Sequence, residues 1–263
     1  MSLNIADNVA LVTASSSGLG RASAEVLARE GANVVLNGRD EARLDEAVTA
    51  LDDLGDGEVL GVTGDLTEKN DIENLIATTL DEFGQLDHLV TSAGGPPSGP
   101  FLETSDEDWY HAFDLLVMSV VRLVRASAPY LRDNDGGTIV TITSQSVKEA
   151  IDSLVLSNSV RMSVIGLEKT LSKELAPEVR ANAVLPGSHE TSRIQDLIDQ
   201  AVDRGEYDSY EEGLAARSEE IPLDRIGEPQ ELGEVVAFLS SPRSSYLNGI
   251  AIPIDGGAGA ANL

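Results

Sequence analysis

Short β-branched apolar runs recur seven times along this chain with longer amphipathic stretches between them, and no other feature restricts its fold as much. The runs lie at 9–13, 33–37, 59–63, 88–92, 138–143, 180–185 and 250–254. The stretches at 19–30, 40–54, 69–83, 106–131, 154–176 and 231–239 carry apolar residues at helical spacing. Alternation of this kind is the pattern of βαβ units, because parallel neighbours cannot be joined by a tight hairpin and need a crossover. The pattern predicts one α/β domain over 1–263, a doubly wound, seven-stranded parallel sheet with helices on both faces in three layers. No internal repeat and no linker-like stretch divides it. The segment 188–221 is too long for an ordinary connection and has its own helical periodicity, so it is expected to form a helical lid over a substrate.

Charge narrows the partners. With 45 Asp and Glu against 18 Lys and Arg, the net charge is -27, the wrong sign for neutralising nucleic-acid phosphates. The acids are spread through helical segments, as in 40–58 and 206–220, and read as a solvated surface over a normal core. Lysine occurs only at 69, 148, 169 and 173. This balance reads as adaptation to high salt, as in a halophile, since about 1 M salt shortens the Debye length to about 3 Å and relieves self-repulsion; an acidic protein from an ordinary environment is the alternative. There are no cysteines, and the histidines at 88, 111 and 189 form no cluster with ligand spacing, so no metal site is expected. No apolar run approaches the roughly 18 residues of a membrane helix, and the start lacks a basic segment followed by a long apolar one; a cytoplasmic protein is expected.

The first turn reads Thr13-Ala14-Ser15-Ser16-Ser17-Gly18-Leu19-Gly20, directly after the first strand and opening the first helix. Small residues there admit a pyrophosphate to the backbone, and the helix N-terminus offers free N–H groups and a positive dipole end. Position makes this a dinucleotide site of Rossmann type rather than an ordinary turn. The second strand ends Leu36-Asn37-Gly38-Arg39, without the carboxylate that would bind a ribose 2′-hydroxyl, and Arg39 offers a planar fork to a 2′-phosphate. NADP(H) is therefore favoured, with NAD(H) left open. Asp65, in Gly64-Asp65-Leu66 after the third strand, is placed either to accept from an adenine amino group or to cap the next helix.

These residues, with others downstream, resemble the short-chain dehydrogenase/reductase family over essentially the whole chain, in a divergent branch near β-ketoacyl-carrier-protein reductases. Thr13–20 resembles the family's Thr-Gly-x-x-x-Gly-x-Gly turn, and Ser92-Ala93-Gly94 its Asn-Ala-Gly strand end. Pro186-Gly187 and Ile254-Asp255-Gly256-Gly257 are similar to further landmarks, and Thr191 follows the first of these into the cofactor site. The resemblance implies a tetrad of Asn, Ser, Tyr and Lys. Carried over, the Ser is Ser144, but the Tyr position holds Ser157, the Lys position Arg161 and the Asn position Leu116, a register pinned by Val164-Ile165-Gly166-Leu167. It also implies a homodimer or homotetramer built on the long helices 106–131 and 154–176.

A serine hydroxyl is far less acidic than a phenol, and Arg161, with a guanidinium pKa above about 12, does not release its proton. Ser157 cannot inherit general-acid work, whereas Arg161 can stabilise an oxyanion or hold a carboxylate bidentately. The replacement proton is expected from water, from His189 or from Lys148. Ser144 has neither a Gly-x-Ser-x-Gly setting nor a paired base, so it is not read as a hydrolase nucleophile. The reading is an NADP(H)-dependent oxidoreductase acting on a small carbonyl or hydroxyl substrate, such as a 3-oxoacyl thioester or a keto-sugar acid. A catalytically degenerate dinucleotide-binding or regulatory protein, or a non-catalytic subunit of an oligomer, is the alternative. The acidic surface itself yields a test: the thermal midpoint should rise by several degrees between dilute buffer and 2 M KCl, and a flat or falling midpoint would remove the high-salt reading.

Overall fold

The computed structural model describes residues 2–133 and 136–261. Seven parallel strands form one sheet in the order β3-β2-β1-β4-β5-β6-β7: β1 is Val9–Val12, β2 Asn33–Gly38, β3 Val59–Thr63, β4 His88–Thr91, β5 Gly137–Ile142, β6 Val179–Pro186 and β7 Ala251–Ile254. The seven sequence runs thus become the seven strands. The register places Leu11 between Val35 of β2 and Leu89 of β4.

The strand period of two divides the core. From the central strands, Val9, Leu11, Leu89, Ile139 and Ala181 enter one cluster, while Ala10, Val12, Val90, Val140 and Val184 enter the other. The first cluster packs under α3 (Lys69–Phe83), α4 (Asp106–Phe113), α5 (Ser119–Asp133) and α6 (Val155–Glu174). The second packs under α1 (Gly18–Arg29), α2 (Glu41–Asp52) and α9 (Pro229–Ser240). β1, β4 and β5 are buried on both faces, and the edge strands β3 and β7 only in part. No helix is long and apolar enough to cross a membrane among the described residues.

Local chemistry sets the helix ends. The Asp40 carboxylate accepts from the Arg43 N–H at the start of α2, Ser105 and Asp108 close a capping box on α4, and Pro229 opens α9 where a missing N–H costs nothing. The helix expected over 106–131 forms with one irregularity: residues Asp114–Met118 make a π turn between α4 and α5. Arg122 braces that turn, pairing with Asp114 at 2.8 Å and donating to the Thr67 carbonyl oxygen at 2.9 Å. Between β6 and α9 lie two further helices, α7 (Ser192–Asp203) and α8 (Tyr210–Glu219), inside the expected 188–221 insertion.

Two polar devices are sunk into the fold. Arg180 on β6 donates to the carbonyl oxygens of Leu239, Ser241, Ser244 and Leu247, tying the sheet to the end of α9. His88 at the start of β4 is 3 % exposed; the Asn8 amide donates to its Nε2 at 2.9 Å and its Nδ1–H donates to the Thr138 hydroxyl at 2.8 Å. Burial, helped by the charge of Arg180, depresses its pKa to about 3. Between about 3 and the unfolded value near 6.5 the unfolded chain binds a proton that the folded chain refuses, so stability is lost as pH falls through this window. Urea unfolding from pH 7 to pH 4 should show His88→Gln losing less stability than the parent, by up to ~1.4 kcal/mol per pH unit; identical pH slopes would contradict this.

Candidate active site

The strand order reverses between β1 and β4, and the crevice above such a reversal is where open α/β sheets bind ligands. Here it widens into a cleft of ≈ 1160 Å³. That exceeds the roughly 300–1,000 Å³ of a small-molecule pocket and accommodates an extended ligand with a second molecule beside it. Its walls are the turn after β1, the ends of β2, β4, β5 and β6, and the helical insertion.

The turn after β1 is shaped from below. Thr13 donates its hydroxyl to the Ser92 carbonyl oxygen at 2.7 Å and accepts from the Ser92 N–H at 2.9 Å, locking β1 to β4. Ser15 donates to the Val12 carbonyl oxygen at 2.6 Å and accepts from the Asn37 N–H at 3.0 Å. Both are fully buried beneath the turn, so these two predicted cofactor residues shape the cleft and do not line it. Ser17, Gly18, Leu19 and Gly20 do line it. A Cβ on Gly20 would stand 2.5 Å from the Ala14 carbonyl oxygen, so only glycine lets α1 start this close to the turn. The N-cap Ser17 makes no side-chain capping bond, which leaves the first-turn N–H groups of α1 free at the cleft. Free amides, small side chains and a dipole end suit a pyrophosphate.

At the β2 end, Arg39 is 76 % exposed along its side chain and 3.8 Å from the Asp65 carboxylate. That carboxylate is held mainly elsewhere, accepting from the N–H and hydroxyl of Thr67 at 2.8 and 2.7 Å. Partial burial works to raise the Asp65 pKa, but the Thr67 bonds and the Arg39 charge prevail and keep it below the ordinary value. Asp65 thus caps the turn before α3, not the helix itself, whose N-cap is Glu68, while lining the cleft. Leu66, Ser92, Ala93 and Gly94 continue the lining, and Pro186, Gly187 and Thr191 close the far side.

Beyond them Ser144, Ser157 and Arg161 come together. Ser144 follows β5 and accepts from the Ser146 N–H at 3.1 Å, and the hydroxyls of Ser146 and Ser157 are 3.0 Å apart. Ser146 was not anticipated, because a hydroxyl eleven residues from its partner has no sequence signal. Arg161 is 9 % exposed, and its Nε has no hydrogen-bond partner among the described residues. Burial lowers its pKa to about 10, with Arg193 adding like-charge repulsion, so it remains a cation at neutral pH. Leu116, on the π turn, lines a ≈ 10 Å³ cavity with Thr91, Thr141 and Arg161, about the room of one water. Below it Glu168, 3 % exposed, accepts from the Thr141 hydroxyl; burial lifts its pKa to about 8, so it is largely neutral at pH 7.

His189 lines the cleft but is 3 % exposed, with Nδ1–H donating to the Gly187 carbonyl oxygen at 3.2 Å and the ring against Gly227. Burial outweighs the bond to Gly187 and lowers its pKa, which leaves a neutral ring whose Nε2 accepts rather than donates. The geometry therefore speaks against the acid role expected for it. Lys148 is exposed and off the cleft lining. Arg193 and Arg217, from α7 and α8, reach the same cleft; sequence reading missed them because only the fold of the insertion brings them over the sheet. No group of three or more His, Asp and Glu is placed to hold a metal ion among the described residues.

The switch-point cleft and the glycine turn define a doubly wound α/β protein of Rossmann type. A family model described as Enoyl-(Acyl carrier protein) reductase matches residues 13–259. Dehydrogenase/reductase SDR family member 4 of Caenorhabditis elegans is 33% identical over 251 residues, covering 95% of this chain and 94% of its own. The 3-oxoacyl-acyl-carrier-protein reductase of Thermotoga maritima is 30% identical, covering 97% and 99%. Among solved structures, L-sorbose reductase from Gluconobacter frateurii, complexed with NADPH and L-sorbose, superposes with a TM-score of 0.94 at 31% identity over 99% of this chain and 100% of that one. Actinorhodin polyketide ketoreductase with NADPH gives 0.92 at 30% identity over 97% and 98%. The chain belongs to the short-chain dehydrogenase/reductase family.

The turn carries one further consequence for stability. Ala14 has φ 47°, a left-handed conformation that disfavours any residue with a Cβ. Ala14→Gly should stabilise the protein by about 1 kcal/mol in urea unfolding, and an unchanged or lower midpoint would show that the Ala14 methyl offsets the strain.

Proposed function

We propose that this protein is an NADP(H)-dependent oxidoreductase that interconverts a small carbonyl compound and its alcohol with atypical catalytic residues. The observation that carries the reading is the uncapped start of α1 beneath the glycine turn, facing a cleft whose β2 end offers Arg39 and no carboxylate at the strand end. The L-sorbose reductase and polyketide ketoreductase structures hold NADPH, which favours the phosphorylated cofactor here. Ser17–20 would hold the pyrophosphate, Arg39 the 2′-phosphate, Asp65 and Leu66 the adenine side, and Ser92, Ala93, Gly94, Pro186, Gly187 and Thr191 the nicotinamide side.

When bound, the cofactor supplies or accepts the hydride. The chain orients the substrate and stabilises charge. The Ser144 hydroxyl donates to the substrate oxygen, and Arg161 sets a permanent positive charge beside it, where low dielectric strengthens its effect on a developing oxyanion. Ser157, held against Ser146, positions this wall and lacks the acidity to protonate it. The proton comes from water in the open cleft, and His189 holds the Pro186-Gly187 turn in place as a neutral ring. α7 and α8 cover the substrate; Ser98 ties this cover to the loop after β4 by donating to Gln200 at 2.6 Å.

Substrates of the 3-oxoacyl thioester or keto-sugar acid class fit this arrangement. Tyr110, Phe113, Tyr130 and Met162 are exposed on α4, α5 and α6, which suits a homodimer or homotetramer. The acidic surface suits a cell interior rich in salt.

Fluorescence titration with NADPH and NADH, followed by nicotinamide absorbance against a carbonyl panel, tests the reading. NADPH should bind, and at least one carbonyl should be reduced; binding without turnover would instead establish a degenerate dinucleotide-binding protein. Arg39→Ala should weaken NADPH by about 10- to 100-fold, the value of one charge-assisted contact, while NADH changes less than about threefold. Equal losses for both cofactors would remove Arg39 from the phosphate site.

A further inference from the structure

In a chain of net charge -27, guanidinium groups left without carboxylate partners are conspicuous, and three of them line the cleft. Arg161 comes from α6, Arg193 from α7 and Arg217 from α8. None lies within ion-pair distance of a carboxylate among the described residues. Nε of Arg161 and Nε of Arg217 are buried with no hydrogen-bond partner there. Arg193 donates to the Pro96 carbonyl oxygen at 3.1 Å and lies against Gly95, which holds it to the loop after β4. Asp196 acts on Arg193 and Glu206 on Arg217 only from a distance. Arg161 is a buried cation without a carboxylate partner, repelled by Arg193, and a charge held in this way is relieved by an anion.

We propose that Arg161, Arg193 and Arg217 form a receptor for a carboxylate on the substrate, so that the protein acts on small oxo or hydroxy acids rather than on neutral ketones. This rests on the oxidoreductase reading of the same cleft. Ser144 marks where the reacting carbonyl lies; Arg161 stands beside it on α6 and Arg193 and Arg217 reach the cleft from the insertion, so an acid group held between them fixes which carbonyl of the substrate is presented. Guanidinium forks match the planar, bidentate demand of a carboxylate. The substitution of the family's Tyr and Lys by Ser157 and Arg161 then exchanges a proton relay for substrate anchorage.

The test is equilibrium binding to the NADPH-bound protein, at fixed ionic strength, of two matched pairs: 5-keto-D-gluconate against L-sorbose, and acetoacetate against methyl acetoacetate. In at least one pair the acid should bind about tenfold or more tighter than its neutral counterpart. Arg193→Gln and Arg217→Gln should each erase most of that preference while the NADPH titration is unchanged. Arg161→Met should erase it too and raise the ligand-free thermal midpoint, because an unpaired buried charge is removed; a fall in midpoint with the preference intact would make Arg161 structural. Equal binding of acid and neutral partner, no binding of either acid, or an undiminished preference in both glutamine variants overturns the proposal. Tighter binding of fructose 6-phosphate than of either acid would overturn the carboxylate in favour of a phosphate. Failure of NADPH to bind in the companion titration would strike the oxidoreductase reading, whereas NADPH binding without acid preference would strike the receptor alone.

Discussion

Burial of the central parallel strands on both faces is the constraint on which the rest of this molecule depends. The seven strands are parallel, so each connection crosses over as a helix, and these helices leave β1, β4 and β5 no solvent face. All seven strands therefore end on one edge of the sheet. The turns that follow them, and the N-termini of the helices those turns feed, gather there by necessity. Where the order reverses between β1 and β4 the crossovers diverge to opposite faces and the cleft opens. The site is thus a product of topology before any side chain in it is specified.

Within that frame two kinds of polar group are treated differently. Structural ones are fully satisfied: Arg180 on its ring of carbonyl oxygens, His88 between Asn8 and Thr138, and Thr13 and Ser15 beneath the turn. Those around the cleft are not, since the amides at the start of α1 lack a cap and Arg161 and Arg217 keep unpartnered nitrogens. Of the three buried side-chain atoms without a partner among the described residues, two, on Arg161 and Arg217, belong to residues that line the cleft, and the third is Glu168 Oε2. At the cleft this unmet capacity is positive in a strongly negative protein. Focusing of opposite charge into a low-dielectric cleft raises the local concentration of anionic ligands even where the surrounding surface repels them.

The positions that the family resemblance implies for the tetrad have a setting of their own. Where the resemblance implies an Asn, the π turn carries Leu116, facing a water-sized cavity instead of offering an amide. Ser144, Ser157 and Arg161 give the wall hydroxyls and a fixed cation, and the exposed His111 lines the same cleft. Glu168, lifted to about 8 by burial, lies further along α6, and its accepting bond from Thr141 turns it toward the sheet.

The sequence by itself determined the sheet, the helices that cover it and the nucleotide end of the cleft. Each of these rests on short-range signals: period-two and helical periodicities, the glycines at 18 and 20, and Arg39 at a strand end. Ser144, Ser157 and Arg161 were placed by the family resemblance, and all three line the cleft. Tertiary structure alone decided what lies between elements distant in the chain. Arg122 bonds across to Thr67 to brace a π turn within the helix at 106–131, Ser15 and Thr13 turned inward because their hydroxyls found backbone partners, and burial holds the His189 pKa low. Arg193 and Arg217 reach the cleft that Arg161 lines only because α7 and α8 fold over the strand ends, which no periodicity along one segment encodes.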